Sequence, residues 1–289
     1  MNILITGSNG QLGKELQQQA VKSPKNNYIF TDIDTLDITS FEAIQQFIQG
    51  KNIDFIINCA AYTNVDNAED DTATANLLNG TAAGYLAQVA DENNITLLHI
   101  STDYVFSGTA KQPYNETDTP APNTAYGKSK LKGEQLVQKY CKRHIIVRTA
   151  WLYSPFGKNF LKNMIALGQQ KNELGVVADQ IGTPTYAFDL ASCLLKMVEI
   201  IAKKEDENLY GIYHFTNEGI CSWFDFAERI QEIAQNNCIV KPLKSHEFKT
   251  KAPRPYYSVL NKSKIKRTFG FEIPEWSDRV EHCIKRLKK

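Results

Sequence analysis

The sequence predicts an α/β protein: a doubly wound parallel sheet with a second, smaller α/β lobe beside it. Three observations carry that expectation. Strand-like and helix-like segments alternate through the first half of the chain. The strand segments are continuous apolar runs, the pattern of strands covered by helices on both faces. A glycine-rich turn, Gly7-Ser8-Asn9-Gly10-Gln11-Leu12-Gly13, links the first strand to the first helix. Right-handed crossovers then place a ligand crevice at the carboxyl ends of the strands.

Taken in order, residues 3–6 form a short apolar strand and residues 11–21 a helix. Strand 28–31 precedes helix 41–49, with Thr39 or Ser40 as its cap. Residues 54–57 are the third strand, and 71–92 read as one long helix interrupted in composition by Gly80 and Gly84. Strand 95–101, helix 125–140 and strand 144–149 complete the regular part. Beyond Trp151 the pattern loosens. Residues 173–178 and 211–215 read as further strands of the same sheet, with a helix over 186–202 between them. Residues 203–208 are a charged surface loop, and helices near 223–234 and 278–285 belong to the second lobe. The expected division gives 1–152 and about 186–217 to a dinucleotide-binding, Rossmann-type domain. It gives about 153–185 and 218–289 to a discontinuous substrate-binding lobe.

A chain of 289 residues can bury a full α/β core, and 42% apolar with 22% charged residues is ordinary for a globular enzyme. A net charge of +1 points to neither nucleic acid nor a membrane surface as partner. The basic runs over 262–267 and 285–289 read as solvated helix faces. Six cysteines (Cys59, Cys141, Cys193, Cys221, Cys238, Cys283) contain no C-x-x-C, and Cys141 with His144 has no second pair to complete a zinc site. They read as small buried hydrophobes. The opening Asn2-Ile3-Leu4-Ile5-Thr6 is a strand without the charged and long apolar regions of a signal. No run approaches the ~20 apolar residues that cross a bilayer. A reduced, cytoplasmic protein is expected.

Gly7, Gly10 and Gly13 follow a strand and open a helix, the context in which such a turn cradles a dinucleotide. Glycine permits the tight turn and lets backbone N–H groups approach a pyrophosphate at the helix N-terminus. The spacing G-x-x-G-x-x-G departs by one residue from the commoner G-x-G-x-x-G. Asp32, at the end of the second strand, is placed to accept hydrogen bonds from the adenosine ribose. Its carboxylate argues for NADH against the extra phosphate of NADPH, and no lysine immediately follows it, but the sequence leaves the choice of cofactor open. Asp37 and Ile38 in the next turn are candidate adenine contacts. Ala60, Ala61, Tyr62 and Thr63 follow the third strand, where small residues let the chain run close to a cofactor. Simple close packing accounts for Ala60 and Ala61 equally well.

Tyr126 and Lys130, in Tyr126-Gly127-Lys128-Ser129-Lys130, share one face of a helix before the fifth strand. An isolated tyrosine has a pKa near ~10, and an ammonium one turn away is expected to lower it by stabilising the phenolate. The same lysine can hold the nicotinamide ribose. In the reductive direction Tyr126 donates its proton to a carbonyl oxygen as hydride arrives at carbon. Ser101-Thr102-Asp103 sits in the same crevice mouth, where a hydroxyl can bond the substrate oxygen alongside the tyrosine.

These residues resemble the extended short-chain dehydrogenase/reductases, and within them the dTDP-4-dehydrorhamnose reductase family, almost end to end. The resemblance runs through Ile3-Leu4-Ile5-Thr6-Gly7, residues 58–63 with Val65-Asp66 and Ala68-Glu69, and Ser101-Thr102-Asp103-Tyr104-Val105-Phe106. It continues through residues 126–130, Arg148-Thr149-Ala150-Trp151, residues 179–185 and Arg254-Pro255. It implies reduction of the 4-keto group of dTDP-4-dehydro-L-rhamnose to dTDP-L-rhamnose, with NADPH and often NADH as reductant. It implies Thr102, Tyr126 and Lys130 as the catalytic set. Gly10, Gln11, Leu12, Asp32, Asp37, Ile38, Ala61, Tyr62 and Thr63 would line the cofactor. Thr102, Asp103 and Trp151 would contact the sugar. Asp103 as a structural cap and Trp151 as a core aromatic are the alternatives. Arg254 is a nucleotide-diphosphate contact by charge, or else half of a surface salt bridge.

Some members of the family hold magnesium at a dimer contact through glutamates. Glu15 is present, but a second ligand position falls on Phe188, so no metal is carried over; a homodimer remains an expectation. Two competing readings share these motifs. A non-catalytic relative, the regulatory subunit of methionine adenosyltransferase, binds dinucleotide while serving a partner enzyme. A reductase or epimerase of another nucleotide sugar uses the same tyrosine and lysine.

Overall fold

The computed structural model describes residues 1–21, 25–204 and 206–288; Glu205 of the expected charged loop and Lys289 of the terminal basic run lie outside the described residues. The chain runs β1 (Asn2–Thr6), α1 (Gln11–Ala20), β2 (Asn27–Phe30), α2 (Phe41–Ile48), β3 (Phe55–Asn58), α3 (Thr72–Asn76) and α4 (Ala82–Glu92). It continues β4 (Thr96–Thr102), α5 (Ala125–Tyr140), β5 (His144–Thr149), β6 (Leu152–Tyr153), α6 (Phe160–Gln170), β7 (Glu173–Val177), β8 (Ile181–Gly182) and β9 (Thr185–Tyr186). The remainder is α7 (Ala187–Lys203), β10 (Gly211–His214), β11 (Cys221–Ser222), α8 (Trp223–Ala234), β12 (Ile239–Leu243), α9 (Ser263–Phe269) and α10 (Trp276–Leu287).

The main sheet has six strands in the order β10-β5-β4-β3-β1-β2, and every pairing in it is parallel. Alternate residues of β1 serve opposite faces, as the pleat requires. Ile3 and Ile5 meet Leu12 and Leu16 of α1 and Leu190, Leu194 and Met197 of α7. Leu4 belongs to the core on the other side, with Ile44 of α2, Leu86 of α4 and Val137 of α5. Both faces are therefore covered, which is why β3 is buried at all four of its positions. β1 lies between β3 and β2, so the winding reverses at β1 and opens a crevice beyond the carboxyl ends of β1 and β3.

A third core, built around Tyr153, Leu161, Leu174, Tyr186, Phe226 and Val280, belongs to the smaller lobe. Three two-stranded ribbons serve that lobe: β6 with β9, β7 with β12, and β8 with β11.

The structure corrects three expectations. Residues 173–178 do not join the main sheet. β7 buries Leu174 and Val176 while Glu173 and Gly175 stay exposed, a one-sided strand that pairs with β12 instead. The helix expected over 71–92 is broken by a π-helical turn at Leu77–Thr81. That turn frees the Asn79 side chain to leave the helix and bond the loop after β3. The basic run 262–267 is not wholly solvated. Lys262 is buried with its ammonium 3.5 Å from Glu218, and Lys264 donates to the Ile212 carbonyl at 2.7 Å. The cap of α2 is Ser40, whose hydroxyl accepts from the Ala43 N–H.

Candidate active site

The glycine turn is shaped by contacts no side chain could replace. Gly7 has φ +63°, and a Cβ there would come within 2.6 Å of the Ala60 backbone; a Cβ on Gly13 would come within 2.4 Å of the Gly7 carbonyl oxygen. The loop after β3 and the start of α1 thus press directly on the turn, leaving a cradle of backbone at a helix N-terminus that fits a pyrophosphate. Gly10 is the N-cap of α1 and provides no side-chain cap, so the first N–H groups of the helix remain for a ligand.

Asp32 lies beside this turn, its Oδ2 accepting from the Asn9 N–H at 2.8 Å and its Oδ1 from the Ile33 N–H at 2.9 Å. Asp37 accepts from the hydroxyl and N–H of Thr39, bonds that hold its carboxyl below the usual range. Leu12 and Ile38 are buried in the two sheet-face cores, so their backbones rather than their side chains can meet a cofactor. Gln11 spans the lobes: its Oε1 accepts from Ser154 Oγ at 3.1 Å and from Asn159 Nδ2 at 2.8 Å. Ala60, Ala61, Tyr62 and Thr63 form the wall after β3. The Ala60 N–H donates to Asn58 Oδ1 and the Tyr62 N–H to Asn79 Oδ1.

α5 begins where its sequence dictates. Thr124 caps it by accepting from the Gly127 N–H at 3.0 Å, and the Glu69 carboxylate accepts from the Ala125 N–H at 2.9 Å. A Cβ on Gly127 would meet the Tyr104 carbonyl at 2.2 Å, so only glycine lets this helix end sit against the turn after β4. Tyr126 is thereby brought near Thr102, whose hydroxyl opposes the rise of the phenol pKa, and against Tyr104 edge-to-face at 5.5 Å. Lys130, one turn on, is buried and donates to the Ile100 carbonyl at 2.6 Å. Beneath it Glu134 is held by Arg148 through two bonds of 2.9 and 2.7 Å and by Ser101 Oγ at 2.5 Å.

The electrostatics depart from expectation in one respect. Burial pushes the Tyr126 phenol up to about 12, with the Thr102 hydrogen bond opposing and Asp103 adding to the rise. No lowering by Lys130 is seen, because that ammonium is turned onto the Ile100 carbonyl and its own pKa is drawn down to about 8 by burial. A phenol that stays protonated is suited to donate. Asp103 is pushed up to about 7, again by burial, with Thr102 and then Ser258 among the groups that lower it. Its Oδ1 accepts from Thr102 Oγ1 at 3.0 Å, while Oδ2 is buried without a hydrogen-bond partner among the described residues.

Trp151 closes the mouth on the side of the smaller lobe. Its φ of +49° is unusual for a bulky residue and costs on the order of 1–3 kcal/mol. Its indole is stacked on Trp223, with centroids 3.7 Å apart and planes 13° from parallel. Arg254 is ion-paired with Asp66 at 2.6 Å, and its charge is felt at the Tyr104 phenol, so it stands at the rim of the same crevice.

Glu15 is fully buried, and both of its oxygens accept from Arg286, at 2.8 and 2.9 Å; the guanidinium lies 5.2 Å from the Phe188 ring. A cation of the chain itself neutralises this carboxylate, and the surroundings do not fit magnesium.

Sequence reasoning missed Asn79, Trp223 and the bridging role of the Gln11 side chain. Gly80 within a helical pattern was the one signal near Asn79.

Over residues 1–289 the chain matches the family model described as RmlD substrate binding domain. It is 41% identical over 286 residues to dTDP-4-dehydrorhamnose reductase of Aggregatibacter actinomycetemcomitans, covering 97% of each chain. A solved dTDP-4-dehydrorhamnose reductase of Clostridium acetobutylicum is 43% identical with TM-score 0.94 over 100% of both chains. Another, from Bacillus anthracis in complex with NADP, is 39% identical with TM-score 0.93 over 99% of both.

Proposed function

Because the chain belongs over its whole length to the RmlD substrate binding domain family, we propose that it reduces the 4-keto group of dTDP-4-dehydro-L-rhamnose to give dTDP-L-rhamnose. The observation that carries this reading is the meeting of Thr102, Tyr126 and Lys130 beside a glycine cradle, in a chain whose relatives are named for that reaction. The cofactor is NADPH, supported by the NADP complex of the Bacillus anthracis relative. The Asp32 carboxylate beside the cradle is consistent with turnover of NADH as well.

The nicotinamide, when bound, supplies the hydride. The residues of the chain do the rest. Gly7, Gly10 and Gly13, with the N–H groups opening α1, would hold the pyrophosphate, and Asp32, Asp37 and the backbone of Ile38 would meet the adenosine end. Ala60, Ala61, Tyr62 and Thr63 would line the cofactor. The Thr102 hydroxyl and the Tyr126 phenol converge on the 4-keto oxygen, and Tyr126 delivers its proton there as the alkoxide charge develops. Lys130, buried one helical turn from Tyr126, would hold the nicotinamide ribose. Asp103 and Trp151 contact the sugar, and Arg254, swinging from Asp66, meets the diphosphate.

The intact Tyr126 and Lys130 favour catalysis over a purely regulatory dinucleotide-binding role. The six free cysteines support a reducing compartment such as the cytoplasm for an enzyme acting on a small-molecule substrate. No helix among the described residues is long and apolar enough to cross a membrane. The test is oxidation of NADPH, and separately NADH, by the purified protein with dTDP-4-keto-6-deoxy-L-mannose. Sugar-dependent oxidation yielding dTDP-L-rhamnose is expected. No oxidation with either cofactor, from folded protein that binds dinucleotide, would overturn the assignment.

A further inference from the structure

Trp151 cannot hold its left-handed conformation alone, and two contacts fix it. Trp223 lies flat against its indole at 3.7 Å, and is itself backed by Phe160 at 4.6 Å. Gly182 packs against the Cε2–Cζ2 bond of the same indole: a Cβ at that position would stand 2.7 Å from both atoms, and 2.7 Å from Ser258 Oγ. Both contacts come from one antiparallel ribbon, in which Gly182 of β8 pairs with Cys221 of β11 and Trp223 follows two residues later as the first residue of α8. The start of α8 is itself fixed by a capping box between Ser222 and Asp225. The Trp151 carbonyl accepts from the Thr185 N–H at 3.2 Å, which closes the frame from the other side.

The ribbon also reaches the catalytic group. The Ser258 N–H donates to the Ile181 carbonyl at 2.8 Å, and Ser258 is among the groups that lower the pKa of Asp103, whose Oδ1 accepts from Thr102. Trp151, Gly182 and Ser258 therefore lie together along one wall of the crevice, with the bonded pair Asp103 and Thr102 beyond Ser258.

We propose that Trp223 and Gly182 are positioning residues for sugar-nucleotide recognition, holding Trp151 as a rigid wall against the sugar. The inference rests on the reductase reading of this site. Neither residue touches the sugar; each acts through Trp151. Loss of Trp223 frees the indole to rotate and lets the Trp151 backbone relax from φ +49°, while a methyl at 182 pushes the indole off its place. Both changes weaken the sugar nucleotide and leave the dinucleotide cradle at the far end of the crevice untouched.

The test compares Trp223→Ala, Trp223→Phe and Gly182→Ala with the parent in steady-state kinetics. For Trp223→Ala and Gly182→Ala we expect KM for the 4-keto sugar nucleotide to rise ~10-fold or more, with KM for NADPH within about twofold. Trp223→Phe keeps a flat ring under Trp151 and should recover most of the loss. Near-UV circular dichroism should show the Trp151–Trp223 signal lost in Trp223→Ala and altered in Gly182→Ala, where both indoles remain but Trp151 is displaced. A purely structural role predicts a lower Tm with both KM values moving together, and that outcome overturns the proposal. So does a sugar KM within about twofold of the parent in both Trp223→Ala and Gly182→Ala. If the parent itself does not turn over, the reductase reading fails, and the wall is then judged by calorimetric binding of dTDP-L-rhamnose. A ~10-fold weaker Kd in Trp223→Ala supports it, whereas an unchanged Kd, or no binding to the parent, overturns it.

Discussion

Asn79 holds Tyr62 by both of its backbone polar groups: the Tyr62 N–H donates to Asn79 Oδ1 at 2.8 Å, and Asn79 Nδ2 donates to the Tyr62 carbonyl at 2.9 Å. The same Nδ2 reaches Ser129 Oγ at 2.9 Å, and Ser129 donates on to the Tyr126 carbonyl at 2.8 Å. One buried amide thus ties the loop after β3 to the helix that carries Tyr126. The π turn at Leu77–Thr81 is what lets it reach, in keeping with the frequent use of such turns at functional sites.

Asn79→Ala should therefore be costly twice over. It strands the Tyr62 backbone groups and the Ser129 hydroxyl, a loss of ~1–3 kcal/mol in stability. It also loosens the wall against Tyr126, so kcat should fall together with a rise in KM for NADPH. Urea unfolding and steady-state kinetics read the two effects separately. Unchanged kinetics in a destabilised variant would reduce Asn79 to a packing residue.

Tyr126→Phe removes the phenol hydroxyl and little else, since the ring keeps its edge-to-face contact with Tyr104. Turnover should drop by at least ~10²-fold with folding intact. Because burial pushes this phenol up to about 12, no loss of its proton limits the parent enzyme below that pH. A kcat that fell as pH rose from 6 to 8, and did so only when Tyr126 is present, would contradict the role of a standing proton donor.

What was legible in the sequence was what lies within a few residues. Gly7, Gly10 and Gly13 announce a cradle because each shapes one local turn, and Tyr126 and Lys130 announce a pair because one helical turn joins them. Asn79 was silent because its partners Tyr62 and Ser129 lie 17 and 50 residues away. Gln11 reads as a helix-opening residue, yet its side chain meets Ser154 and Asn159, 143 and 148 residues on. The same limit explains β7. Its apolar run has the composition of a sheet strand, and only the alternating exposure of Glu173 and Gly175 shows that one face is open. The turning of Lys130 onto the Ile100 carbonyl is a matter of rotamer, which spacing does not carry.

Asp103 gives stability a pH dependence of predictable sign. Its folded pKa, about 7, lies above the ordinary carboxylate value near ~4 that it recovers on unfolding. The folded state thus holds the proton more tightly than the unfolded chain. The contribution is complete below about pH 4 and is lost as pH rises through 7, at up to ~1.4 kcal/mol per pH unit. Asp103→Asn, which keeps an acceptor for Thr102, should flatten this slope and exceed the parent in stability at pH 8. Urea unfolding of both proteins at pH 5 and pH 8 measures it. A parallel pair of profiles would show that Asp103 stays ionised when folded.

Arg286 is the structural counterpart of a bound cation. It reaches from α10 to α1, satisfies both oxygens of Glu15, and also donates to the Tyr186 hydroxyl at 2.6 Å. Burial raises the pKa of Glu15, and the hydrogen bonds and positive charge of Arg286 pull against that rise. Glu15 has no exposure with the guanidinium in place, so Arg286→Ala should lose up to ~3–5 kcal/mol, less whatever solvent reaching the bared carboxylate restores. The double variant Glu15→Gln with Arg286→Met should recover much of that loss, because no buried charge remains. A divalent ion has no part in the parent contact, so EDTA or added magnesium should leave its Tm and its sedimentation unchanged. If magnesium instead raised the Tm of the parent, the Glu15 carboxylate would have to be open to solvent ions in solution, contrary to its pairing with Arg286. Magnesium rescue confined to Arg286→Ala would show the opposite: that the arginine occupies, by covalent attachment to the chain, the place a free cation can otherwise take.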